Sequence, residues 1–193
     1  MTQQLRIDAA RNSEKILRAA REVYAVSGPD AQLEEIARRA GVGIATLYRR
    51  FPNKEELVRA ALEQSVAEFL TPAIERASAE QDPLRGIETL FGAMLEHWSG
   101  EYGTFTAARK AGVLGVEMST LYFSALTSLV EAGQRAGVVR ADLAPEDLPR
   151  ITVMLLSLLP TIEPGSGDWR RYLALVIDGM IAPQRRPTAP SIE

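Results

Sequence analysis

The feature that most limits how this chain can fold is the glycine turn at Gly41 to Gly43, set between two apolar stripes that are each about two helical turns long. Leu33, Ile36, Ala37 and Ala40 fall on one side of a helix that ends at Gly41, a residue suited to the left-handed position after a helix. A second short helix is expected from about Ile44 to Arg50. On it Leu47 and Phe51 point one way, Ile44, Ala45, Tyr48 and Arg49 point the other, and Thr46 and Arg50 flank them. A longer helix precedes the pair. It begins near Ser13, where Ser-Glu-Lys-Ile offers a side-chain cap, buries Ile16, Leu17, Ala20, Val23 and Tyr24, and stops at Ser27-Gly28-Pro29. Three helices with a glycine turn between the last two describe a helix-turn-helix.

The rest of the chain repeats the helical period, and no stretch shows strand alternation, so the fold class expected is all-α. Asn53 caps a fourth helix, with Glu56 three residues on. It runs to about Ala79, with Pro72 expected to bend it or end it early. Further helices are expected near 83–99, 101–111, 115–136, 145–159 and 167–181, with Pro145 in a first turn. The domain organisation expected is an N-terminal three-helix DNA-binding domain over 1–59, a C-terminal helical ligand-binding and dimerisation domain over 60–182, and a disordered tail over 183–193.

Composition removes several function classes. With 46% hydrophobic residues the chain can fill a sizeable core, and with no cysteine it has neither disulfides nor thiolate metal sites. A single histidine and no dense acidic cluster leave no triad, zinc or di-iron set, so no enzyme, metal or cofactor is expected. The longest apolar run, Ile151 to Pro160, is about half the roughly 20 residues that span a bilayer. No membrane association is expected, and the location expected is cytoplasmic. The net charge of −3 hides an asymmetry: residues 1–59 carry eleven Lys/Arg against eight Asp/Glu, and the remainder eleven against seventeen. A basic end on an acidic chain suits a polyanionic partner.

If Leu47 and Phe51 anchor the third helix, its opposite face projects a tyrosine, a short apolar pair and an arginine into solvent. That face suits a DNA major groove, where Ile44 and Ala45 can touch thymine methyl groups and Tyr48 or Arg49 can meet base edges or phosphates. Gly43 lets the backbone approach closely. Thr46, Arg50 and Lys54 stand at helix ends, where phosphates are positioned, and Arg6 and Arg11 on the leading arm are within reach of the DNA backbone or a neighbouring minor groove.

Residues 33–57, LEEIARRAGVGIATLYRRFPNKEEL, resemble the signature of the TetR family of bacterial transcriptional regulators, and the match extends back to about Asn12. The resemblance implies an all-helical dimer in which an N-terminal three-helix reader hangs from a variable ligand-binding domain. By matching position it implies base-proximal roles for Gly43, Ile44, Ala45, Tyr48 and Arg49, and phosphate roles for Thr46, Tyr48, Arg50 and Lys54. Three positions depart from the family pattern. Gln32 stands where relatives open the second helix with Ser or Thr, Ala45 where glycine is frequent, and Arg50 where histidine is frequent. They imply a lost phosphate contact, stronger electrostatics and an altered base preference. The spacing of GQRAGVVRADLAPEDLPRI, followed by two apolar helices, is similar to the group with an SbtR-type C-terminal domain.

In the second half, Phe91, Met94, His97, Trp98, Tyr102, Phe105, Thr106, Arg109, Met118, Tyr122 and Phe123 combine aromatic bodies with a few polar tips. Such side chains line a small-molecule cavity and equally fill a helical core. The dimer interface is expected on the last two helices, through Leu155, Leu158, Leu159, Trp169, Tyr172, Leu173, Val176 and Met180, with Leu148 and Ile151 beside them. The function expected is a repressor that binds a palindromic double-stranded DNA operator as a homodimer and is released by a small-molecule effector of unknown identity. A helical protein-interaction adaptor and a transcriptional activator of the same fold are the alternatives.

Overall fold

The computed structural model describes residues 2–113, 116–163 and 166–183, without the side chains of residues 2–9 and 116–119. Arg6 and Met118 therefore fall outside the described side chains, and the expected tail falls outside from residue 184 on. The described residues form nine α-helices: α1 Thr2–Ser27, α2 Leu33–Ala40, α3 Ile44–Arg50, α4 Lys54–Ala79, α5 Pro83–Gly100, α6 Tyr102–Lys110, α7 Val116–Arg135, α8 Asp147–Leu156 and α9 Trp169–Met180. The only pairing of extended backbone among them is an antiparallel bridge of Val139 with Ile181.

The first helix is longer than its cap chemistry suggests. It starts at Thr2 rather than Ser13, and Ser13 lies buried on its inner side. The sequence QQLRIDAARN is made largely of good helix formers and continues the helix upstream, so Ser13 lies inside the helix rather than at its cap. α2 and α3 pack against one another, and α1 packs on α2 and α4, which closes the helix-turn-helix around Ile16, Ala20, Tyr24, Ile36, Leu47 and Leu57.

α4 leaves this unit and enters the second. Asn53 accepts the Glu56 amide at 2.8 Å and fixes its start. The helix continues through Pro72 to Ala79 rather than ending early, with Ala73 and Ala77 fully buried beyond the proline. α5 is the axis of the second unit. It packs on α4, α7, α8 and α9, and Ile87, Leu90, Phe91, Met94, Leu95 and Trp98 cover more of its circumference than one stripe, as expected for a central helix. α8 starts at Asp147, two residues later than Pro145 proposed. Asp147 turns its carboxylate back to the Ala144 amide at 3.0 Å, and Leu148 bonds to the Pro145 carbonyl, so the proline sits in the entering turn.

Candidate nucleic-acid interface

The geometry of the site begins at Gly41, whose φ of 69° places it in the left-handed region. From there its amide reaches the Arg38 carbonyl and that of Val42 reaches Ala37, the paired closure of a Schellman motif. The chain then leaves α2 at an angle set by hydrogen bonds. Gly43 is different. Its φ of −68° is open to any residue, and a Cβ there would meet nothing within 4 Å, so the fold itself gives no reason for glycine.

α3 carries one buried side and one open side. Leu47 is fully buried and Phe51 nearly so, while Ile44, Ala45, Tyr48, Arg49 and Arg50 are exposed and Thr46 is half-buried. Tyr48 remains 45% exposed, a large exposure for an aromatic on a helix of seven residues. Neither Tyr48 nor Arg49 has a hydrogen bond or ion pair among the described residues.

Arg50 and Lys54 are held by the protein. Arg50 donates its Nε–H to Ser13 Oγ at 2.6 Å, and its guanidinium lies 5.8 Å over the Phe51 ring. Lys54 directs Nζ to the carbonyls of Pro29 and Ala31, at 2.8 and 2.6 Å, which ties the start of α4 to the turn between α1 and α2. One ammonium hydrogen is left over. Gln32, the first departure from the family pattern, caps nothing: its amide donates to the Asp30 carbonyl at 2.9 Å. Arg11 is exposed on α1.

Of the expected pocket residues, the structure assembles most into two aromatic groups. His97 stacks on Phe69 with centroids 3.8 Å apart and meets Trp98 edge-on, and Trp98 in turn meets Phe105, which neighbours Tyr102. Tyr122 packs edge-on against Phe91 and Phe123. Met94 is buried in the same core, Thr106 is half-buried with its hydroxyl on the Gly103 carbonyl, and Arg109 points to solvent, because its place on α6 faces away from α4 and α1. Two clefts, of about 550 Å³ beside α1 and α4 and about 450 Å³ beside α8 and α9, are lined by none of these residues.

Burial sets the titration of these groups. The His97 imidazole is pushed down to about 4 by desolvation; Glu101 and Glu68 pull it up and Arg21 pulls it down. Its Nε2 lies 2.8 Å from Ser65 Oγ, which is itself buried. Desolvation raises the Tyr24 and Tyr122 phenols, and neither hydroxyl has a hydrogen-bond partner among the described residues. Tyr122 lies beside Thr152, whose hydroxyl donates to the Leu148 carbonyl instead. On the surface, the hydrogen bond from Arg140 holds the Asp142 carboxyl at about 2.

The expected dimer residues divide unevenly. Leu155, Leu159, Trp169, Leu173 and Met180 are buried in the chain's own core, with Leu148 among them, and Leu158, Val176 and Ile151 are half-buried. Only Tyr172 is exposed. The most apolar face of each helix packs inward, and the large exposed apolar side chains on α8 and α9 are Val153, Met154, Tyr172 and Leu175.

Sequence reasoning also missed Arg21. This α1 residue bonds Glu101 through Nε and Nη2 at 2.9 and 2.5 Å and Glu68 through Nη1 at 2.7 Å, so it joins α1, α4 and the α5–α6 corner. The partners lie 47 and 80 residues away, beyond any local pattern.

The family model for bacterial regulatory proteins of the tetR family matches residues 16–61. The crystal structure of the TetR transcriptional regulator SCO0520 from Streptomyces coelicolor is 34% identical, with 92% of this chain and 99% of that one covered and a TM-score of 0.63. The HTH-type transcriptional regulator Rv2250c of Mycobacterium tuberculosis is 29% identical over 77% of this chain and 78% of its own length. The regulator FadR from Bacillus subtilis, solved in complex with stearoyl-CoA, has the same fold at 18% identity, with coverage of 86% and 95% and a TM-score of 0.70.

Proposed function

The chain belongs to the TetR family of bacterial transcriptional regulators, and from that premise we propose that it is a repressor that binds a palindromic operator as a homodimer and is released by a small molecule. The observation that carries the reading is the open face of α3. Tyr48 and Arg49 stand in solvent with no partner among the described residues, next to a glycine the fold does not need. A face of that composition is matched by a major groove, where an aromatic hydroxyl and a guanidinium find base edges and phosphates.

Under this reading residues 1–59 are the reader and 60–182 receive the effector and the second subunit. Val153, Met154, Tyr172 and Leu175 form the dimer face, and two-fold symmetry places two α3 helices in half-sites one helical turn apart. The aromatic groups on α5, α6 and α7 supply an apolar lining for the effector. The stearoyl-CoA complex of FadR supports an apolar ligand for this fold. An effector that favours a spacing of the readers unsuited to adjacent grooves lowers operator affinity by linkage. The test is a gel shift with the DNA upstream of the chain's own gene at moderate salt. A retarded band competed poorly by unrelated DNA supports the reading, and absence of any specific band contradicts it.

A further inference from the structure

We infer that Ser13 is a positioning residue for DNA binding: through its hydroxyl it holds the Arg50 guanidinium in place to meet a phosphate. The inference rests on the DNA-binding reading above and adds to it a residue outside the helix-turn-helix pair. Arg50 ends α3 and is exposed, whereas Ser13 is 8% exposed on α1 and is held in place by the core around it. The bond between Nε and Oγ, at 2.6 Å, uses the one guanidinium hydrogen that a fork-shaped phosphate contact does not need. The four Nη hydrogens stay available, since Arg50 has no other hydrogen-bond or ion-pair partner among the described residues. The Phe51 ring centroid lies 5.8 Å from the guanidinium carbon.

An arginine at the end of a helix otherwise samples many rotamers, and binding must then order it. A hydroxyl on a buried position of a different helix removes part of that ordering before DNA arrives. The arrangement also gives a reason for the helix start at Thr2: if α1 began at Ser13, this hydroxyl would be drawn to cap backbone amides. With the helix extended upstream, Ser13 instead faces α3 and accepts from Arg50.

The phosphate contribution is independent of sequence, so it is read with a fluorescently labelled duplex of about 30 base pairs of arbitrary sequence, by anisotropy over a range of salt. Arg50→Gln lowers the slope of log K against log salt by about 0.9. Ser13→Ala keeps that slope and weakens binding by about three- to tenfold, the range set by ordering one long side chain. Added to Arg50→Gln, Ser13→Ala changes nothing further. Ser13→Thr, which keeps the hydroxyl, retains wild-type affinity and slope and decides the matter if Ser13→Ala is poorly folded; a loss from Ser13→Thr equal to that from removing the hydroxyl overturns the role. Equal loss from Ser13→Ala in both backgrounds, or no loss in the wild-type background, overturns the positioning role alone. Wild-type protein with no salt-dependent duplex binding overturns it together with the DNA-binding reading.

Discussion

Arg21 on α1 and Glu101 at the corner between α5 and α6 share two hydrogen bonds, at 2.9 and 2.5 Å, across 80 residues of chain. Both side chains are about one-fifth exposed, and Glu68 of α4 joins the same guanidinium. Arg21→Gln leaves Glu101 half-enclosed without its cation. The expected loss of stability is about 1–2 kcal/mol, less than for a fully buried pair because water still reaches the site. The midpoint of urea unfolding at neutral pH checks it.

A second contact between the two units tolerates no added atom. A methyl group on Gly103 of α6 would overlap the Tyr24 carbonyl of α1, whereas one on Gly100 would meet nothing within 4 Å. Gly103→Ala should therefore destabilise the protein by about 2–3 kcal/mol as the helices are forced apart. Gly100→Ala, in the last turn of α5, should be neutral or gain up to about 1 kcal/mol. Thermal unfolding of the two variants side by side separates the cases.

The two sides of α3 predict opposite outcomes. Leu47→Ala removes a fully buried side chain and should lose about 2–5 kcal/mol of stability. Tyr48→Ala and Arg49→Ala act on exposed side chains and should leave the unfolding midpoint within about 0.5 kcal/mol of wild type. Calorimetry of the three variants checks the assignment of faces without reference to any ligand.

Acid should weaken the fold through His97. Its pKa is lowered from 6.5 to about 4 in the folded protein, so the unfolded chain binds the proton more readily. The stability held by the neutral ring is complete above pH 6.5 and declines as pH falls from there toward 4. His97→Gln should flatten this part of the stability curve. The difference between the two proteins isolates the imidazole. Urea midpoints measured from pH 8 to pH 4 read it.

For the proposed dimer, a charge on the exposed side of α8 or α9 is the decisive change. Met154→Glu and Leu175→Glu alter side chains that are 52% and 61% exposed, so neither should unfold the chain. Each should shift the protein from dimer to monomer in light scattering. Leu155→Glu, aimed at a residue 1% exposed, should instead prevent folding.

The parts of the fold set by local chemistry were legible in the residues. Ile44–Arg50 and Lys54–Ala79 have the bounds that Gly43, Phe51 and the Asn53 cap imply, and the separation of Leu47 from Tyr48 follows from the 3.6-residue period. What escaped were choices between equal local options. Ser13 followed by Glu-Lys is good cap chemistry, yet the residues upstream are good helix formers as well, and α1 starts at Thr2. On α8 and α9 a stripe analysis finds the most apolar face, and that face belongs to the core of one chain. The weaker stripe with Val153 and Leu175 is visible only once the core is filled. Arg21 could not be placed at all, because its partners are brought to it by packing.

The claim on which the rest depends is that the outward side of α3 reads DNA. Hydroxyl-radical footprinting on the region upstream of the gene tests it most directly, with wild type and Tyr48→Ala compared at the same protein concentration. Wild type is expected to give two protected stretches about one helical turn apart, and the variant neither. Protection that persists unchanged in Tyr48→Ala, or no protection by the wild-type protein, would contradict it.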